Sequence, residues 1–208
     1  MTENIKIPVL VIGIILAFVF GIFSTGLLSS VDKTPETNLA EAGFTRDMSI
    51  HHQQAIEMSF LVHERTNNQE IRGFAYDIIN TQAAQRGMML GWLDLWNLSP
   101  TSTDEPMAWM QIDMQMDNME MMKSFTPGAV MPGMATKEEM DELRNLTGKD
   151  AEKLFLELMI RHHQGGVMMA QGLVDRSGYE QVVRLAQTMV DGQQSEIDYM
   201  QQLLMQYK

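Results

Sequence analysis

Residues 44–58 read FTRDMSIHHQQAIEM, and residues 155–169 read FLELMIRHHQGGVMM. An ungapped shift of 111 residues superposes Phe44 on Phe155, Met48 on Met159, His51 on His162, His52 on His163, Gln53 on Gln164 and Met58 on Met169. The same shift matches Arg65 to Arg176, Ala75 to Ala186, Gln82 to Gln193, Met89 to Met200 and Leu93 to Leu204. The chain is therefore a tandem duplication of one unit.

Each unit reads as two amphipathic helices around a tight turn: 41–66 and 69–97 in the first copy, 151–176 and 179–207 in the second. Thr66, Asn67 and Asn68 interrupt the first pair, Ser177 and Gly178 the second, and Asp150 reads as the N-cap of the third helix. A hairpin cannot hide its own apolar stripe. The pattern thus predicts an all-α fold, an antiparallel four-helix bundle built from two tandem hairpins over 41–208, with a connection at 98–150.

Heptad-like spacing gives the inward faces. The first helix collects Phe44, Met48, His51, Ala55, Met58 and Val62; the third collects Phe155, Met159, His162, Gly166, Met169 and Leu173. The second collects Ile71, Ala75, Ile78, Gln82, Gln85, Met89 and Trp92, and the fourth Val182, Ala186, Met189, Gln193, Glu196, Met200 and Leu203. His52 and His163 fall about 100° round, at the flank of the seam. Polar residues on the core face are then His51, Gln82, Gln85, His162, Gln193 and Glu196. A buried polar group without a partner costs about 1–3 kcal/mol, so this set needs either a closed hydrogen-bond network, imidazole to glutamine and imidazole to Glu196, or a bound ion.

The duplicated register and the methionines on the same stripes favour an ion, and donor chemistry restricts which one. The chain has no cysteine, which removes disulfides, thiolate zinc sites and a cysteine nucleophile. Glu196 is the only seam carboxylate, Glu57 and Glu157 lying off the stripe, too few for a di-iron centre. Thioether with imidazole suits copper, above all Cu(I), and its mimic Ag(I), while Cu(II) leans on imidazole. The expected ligands are His51, His52, His162 and His163, with seam sulfurs from Met48, Met58, Met159 and Met169, and with Glu196.

The connection is rich in methionine. Of the 21 methionines in 208 residues, ten lie at 107, 110, 114, 116, 119, 121, 122, 131, 134 and 140. Thr103 is read as capping a helix over 104–124, and Thr136 with Glu139 as a capping box for a short helix over 137–146. Thioethers among Asp104, Glu105, Asp113, Asp117 and Glu120 make a surface that collects soft cations, a groove for a partner helix being the competing account. Trp109 is read as anchoring this connection to the bundle, and Gly165-Gly166 as permitting close helix approach. The net charge of −12 disfavours nucleic acid and favours cations.

Residues 7–23 are apolar apart from Pro8, Gly13 and Gly21, and the run continues to Leu28, long enough for a transmembrane helix. Residues 1–30 are accordingly read as an uncleaved membrane anchor and 31–40 as a linker, with the remaining domain outside the cytoplasm. No phosphate loop, nucleophile elbow or H-E-x-x-H motif occurs, and nothing in the sequence demands catalysis.

The segment from Asp47-Met48 through His51-His52-Gln53-Gln54-Ala55-Ile56-Glu57-Met58, its partner from Phe155 to Ala170, and the Met131-Pro132-Gly133-Met134 stretch resemble the domain-of-unknown-function 305 family over about residues 40–207. The resemblance implies a ferritin-like helical bundle, secreted or membrane-tethered in bacteria, with members that bind copper or silver in the cell envelope. Carried over residue by residue it points to His51, His52, Met58, His162, His163 and Met169, with Met48 and Met159 next. One departure matters: Gln193-x-x-Glu196 follows the family pattern, but the first copy has Gln82-x-x-Gln85. The reading is an extracytoplasmic copper-binding protein for buffering, delivery or resistance, with a copper-handling protein as partner. The alternatives are a structural or interaction module without metal, and a metal-dependent oxidoreductase.

Overall fold

The computed structural model describes residues 34–36, 39–110 and 126–207, and its helices all belong to one unit that begins at Pro35. The apolar run at 7–28 lies outside the described residues, among which no helix is long and apolar enough to cross a membrane. The described residues are all-α. Four long helices, α1 (Ala40–His63), α2 (Gln69–Leu95), α4 (Gly148–Val174) and α5 (Glu180–Leu204), are accompanied by the short α3 (Lys137–Asn145). α1 packs along α2 and α4 along α5, and the hairpins meet through α1 and α4.

All four long helices contribute to two apolar clusters. Phe44, Met48, Met89, Leu93, Met169, Leu173, Val182 and Met189 share one. Met58, Val62, Ile71, Ile78, Phe155, Met159, Ile197 and Met200 share the other. Early α1 residues thus meet late α4 residues at one end and the converse holds at the other, so α1 and α4 run antiparallel. The histidines of both copies fall between the two clusters.

The turns are built alike. Asn68 N donates to Thr66 Oγ1 at 2.9 Å, and Tyr179 N donates to Ser177 Oγ at 3.0 Å. Each hydroxyl in turn donates to a carboxylate at the start of the other hairpin, Thr66 to Glu152 and Ser177 to Glu41. Thr66 and Ser177, like Glu41 and Glu152, are 111 positions apart. These reciprocal clasps went unseen in the sequence, because Thr→Ser and a lone Glu at a helix start carry no distinctive pattern.

Two expectations need correction. α4 begins at Gly148 with Thr147 as N-cap, so Asp150 lies inside the first turn, where its charge suits the helix dipole. Thr103 caps no helix: residues 106 and 107 form a turn leading to a 3₁₀ turn, Ala108–Met110. Met107 adopts φ +69°, incompatible with a helix, and Asp47 Oδ2 accepts from Met107 N at 2.8 Å and Trp109 Nε1 at 2.9 Å. The rest of that expected helix, including Met114, Met116, Met119, Met121 and Met122, lies outside the described residues. The Thr136–Glu139 capping box is present as expected, and Trp109 does anchor the connection, edge-on to Phe44 at 5.7 Å between ring centroids.

Candidate metal centre

The imidazoles of the two copies converge. His51 and His162 lie against each other where α1 crosses α4, their ring centroids 3.7 Å apart and their planes tilted by 35°, and the His163 centroid lies 6.3 Å from that of His162. None of the four, His52 included, is more than 1% exposed. His52 and His163, expected at the flank, are covered because α2 and α5 lay Gln85 and Glu196 over them. The seam sulfurs split: Met48 and Met169 sit in one apolar cluster and Met58 and Met159 in the other, all with no exposure.

Each ring uses Nε2 in the same way. His52 Nε2 donates to Gln85 Oε1 at 2.7 Å and His163 Nε2 to Glu196 Oε2 at 2.6 Å. His162 Nε2 donates to the His51 carbonyl at 3.0 Å, and His51 Nε2 to the Pro132 carbonyl at 3.1 Å. A carbonyl can only accept, so at His51 and His162 the ring proton is on Nε2. Burial keeps three of the rings uncharged: it lowers His51 to about 3 and His52 to about 4, and it holds His162 well below 6.5, with neighbouring rings adding to each shift. An uncharged ring with its proton on Nε2 carries a lone pair on Nδ1. All four Nδ1 atoms are buried and, among the described residues, without a hydrogen-bond partner.

A ring that donates one N–H to an oxygen acceptor and leaves the other nitrogen bare is the arrangement of a metal-ligating histidine with its supporting partner in place. The site is not a preassembled cage. Among the described residues no three His, Asp or Glu side chains are placed to hold one ion. At most two of the four imidazoles can then meet at one ion, a donor number that fits a soft ion of low coordination number better than zinc or calcium. Gln82 and Gln193 are buried at 2% and 5% exposure, with Oε1 unpartnered in both. Gln85 and Glu196 are half-buried.

Sequence reasoning missed the backbone that completes the layer. The Met131–Met134 turn lies on α4 at Gly165, where a Cβ would overlap the Pro132 carbonyl; a Cβ on Gly133 would overlap the Arg161 carbonyl. Gln54 clasps this turn in both directions, Nε2 donating to the Ala135 carbonyl at 2.9 Å and Oε1 accepting from Ala135 N at 2.7 Å. Arg161 pairs with Glu139 at 2.5 Å and fixes the start of α3. The glycine pair therefore serves close approach, as expected, of a loop at Gly165 and of α5, through the Gln193 amide, at Gly166.

Comparison with known proteins agrees with this architecture. A family model described as a domain of unknown function (DUF305) matches residues 41–204. A crystal structure of a DUF305 protein from Streptomyces coelicolor, provisionally described as secreted, is 50% identical with a TM-score of 0.73, covering 82% of this chain and 95% of that one. A DUF305 fragment from Deinococcus radiodurans is 31% identical with a TM-score of 0.64, covering 80% of this chain and 96% of its own. CopM in the Cu(I)-bound form is 23% identical with a TM-score of 0.59, covering 80% of this chain and 96% of that one, a likeness of fold. No curated protein matches the chain.

Proposed function

We propose, because the chain belongs to the DUF305 family and buries four imidazoles whose Nδ1 atoms have no partner, that it binds copper ions outside the cytoplasm and buffers, delivers or detoxifies them. The Nδ1 observation carries the reading. A lone pair shut away from water without a donor is a cost that a soft cation removes, and the uncharged rings of His51, His52 and His162 each carry one. His51, His52, His162 and His163 are the nitrogen ligands in this reading, Met48, Met58, Met159 and Met169 the neighbouring soft donors, and Glu196 a carboxylate of the same set. CopM structures in Cu(I)-, Cu(II)- and Ag-bound forms lend support from the same fold.

The finer features belong to the same proposal. The four long helices form a ferritin-like antiparallel bundle; residues 7–28 anchor it in a membrane, with the bundle on the outer side; the methionine-rich connection loads ions and meets a copper-handling partner. The S. coelicolor relative's description as secreted supports the placement outside the cytoplasm.

A closed hydrogen-bond network is the second reading, favoured by the His52–Gln85 and His163–Glu196 bonds. It leaves the four Nδ1 atoms unexplained. The two readings part in a Cu(I) titration against a competing chelator, comparing the wild type with His51→Ala/His162→Ala and His52→Ala/His163→Ala. Copper binding predicts at least a 100-fold loss of affinity in the double variants; absence of tight binding by the wild type, or equal affinity in all three, leaves the network reading.

A further inference from the structure

The two copies hold their outer histidines by the same bond but in opposite electrostatic settings. His163 Nε2 donates to a carboxylate, Glu196, whereas His52 Nε2 donates to a neutral amide, Gln85. Next to Gln85 stands Arg86, whose positive charge bears on the His52 ring. The residue 111 positions after Arg86 is Ile197, an apolar side chain buried at 3% exposure. One half of the layer thus has an anion in contact with its histidine and an apolar neighbour; the other, among the described residues, has no anion in contact and a cation beside it.

Copper arrives in two charge states, and charge is the property on which these halves differ. Attraction to a carboxylate grows in proportion to the charge on the ion, so a dipositive ion gains twice what a monovalent ion gains at the same position, and repulsion from a guanidinium scales in the same way. Soft donors discriminate by polarisability and leave this term untouched. A ligating imidazole whose N–H is bonded to a carboxylate is also a stronger base than one bonded to an amide, which again helps the harder ion.

We propose that the His163 half of the layer is the site for a dipositive ion, Cu(II), that the His52 half is restricted to monovalent ions, and that Glu196 and Arg86 set the difference. The inference rests on the copper reading of the same imidazoles and adds to it which half takes which ion. Arg86 acts through charge and position, and Glu196 acts through its bond to the His163 ring rather than as a ligand, which narrows the ligand set of the copper reading to the imidazoles and thioethers.

The test uses the full-length chain and two probes, Ag(I) and Cu(II), each titrated against a competing chelator. Glu196→Gln is expected to lower Cu(II) affinity about 100-fold and Ag(I) affinity about 10-fold, so that the loss for the dipositive ion is the square of the other. Glu196→Asp is expected to restore most of the Cu(II) affinity. In the first copy, Gln85→Glu combined with Arg86→Ile is expected to raise the number of histidine-dependent Cu(II) ions from one to two per chain. A merely structural role for Glu196 predicts equal losses for both ions together with a lowered unfolding temperature of the apo form, and that result overturns the proposal. Unchanged affinities in Glu196→Gln, or an unchanged Cu(II) count in the first-copy variant, overturn it as well while leaving the copper reading standing. A wild type that binds neither ion overturns both.

Discussion

A buried imidazole that stays uncharged while the unfolded chain is free to take up a proton makes folding sensitive to acid. The folded values of about 3 for His51 and about 4 for His52, and the lowered value for His162, lie under the ordinary 6.5. Between these limits the unfolded chain binds more protons than the native one, so stability falls as pH falls, and above pH 7 these groups contribute no slope. With three such groups the slope approaches about 4 kcal/mol per pH unit between pH 6 and 4. Denaturant titrations of the apo protein at stepped pH are expected to show a plateau above pH 7 and a steep loss below 6. His51→Gln, which deletes one of the three groups, is expected to lower that slope by about a third; a flat profile through pH 5 would mean the rings are protonated in the folded state. The histidine pairs were conspicuous in the sequence as duplicated polar residues on an apolar stripe. Their proton positions were not, because these depend on the Pro132 and His51 carbonyls, and a backbone acceptor leaves no mark on residue type.

Among the elements, the Met131–Met134 turn relies on absent side chains against backbone. A methyl group at Gly165 would overlap backbone atoms of Pro132 and Gly133, which cannot move aside as a flexible side chain would. Gly165→Ala is expected to destabilise the fold by about 1–3 kcal/mol. Gly73→Ala, on an exposed face of α2 with nothing near the new Cβ, is expected to stabilise by about 0.5–1 kcal/mol. Chemical denaturation of the two variants beside the wild type measures both signs at once. Gln54→Ala removes both halves of the Ala135 clasp, so the Ala135 amide is expected to exchange with solvent at least tenfold faster while amides in the middle of α4 keep their rates. At this scale the sequence was readable wherever periodicity speaks: every seam position named on α1 and α4 is buried. It failed at Thr103, whose helix-cap signature was overruled by Asp47 holding Met107 and Trp109 against α1. A local propensity worth about 1 kcal/mol yields to several tertiary bonds.

Across the whole unit, the 111-residue shift governs packing as well as sequence, and the Thr66–Glu152 and Ser177–Glu41 clasps tie each hairpin's turn to the other hairpin's first helix. Glu152 also accepts from Tyr207 at 2.9 Å, so the C-terminal 3₁₀ turn closes over the same carboxylate. Two hairpins joined along α1 and α4, with the imidazole layer at the crossing, should unfold together, and any ion held in that layer stabilises both at once. Mass action sets the size of the effect: an ion present at 100 times its dissociation constant adds about 2.7 kcal/mol, and for a domain of this size each kcal/mol moves the unfolding midpoint by about 2–4 °C. Ag(I), free of redox chemistry under assay conditions, is expected to raise the midpoint of the wild type by about 5–10 °C in calorimetry. His51→Ala/His162→Ala is expected to lose that increment. Ions held only by methionines at 107–140 would give a shift that survives the double substitution, so the calorimetric comparison locates the stabilising ion in the crossing of α1 and α4 or removes it from there.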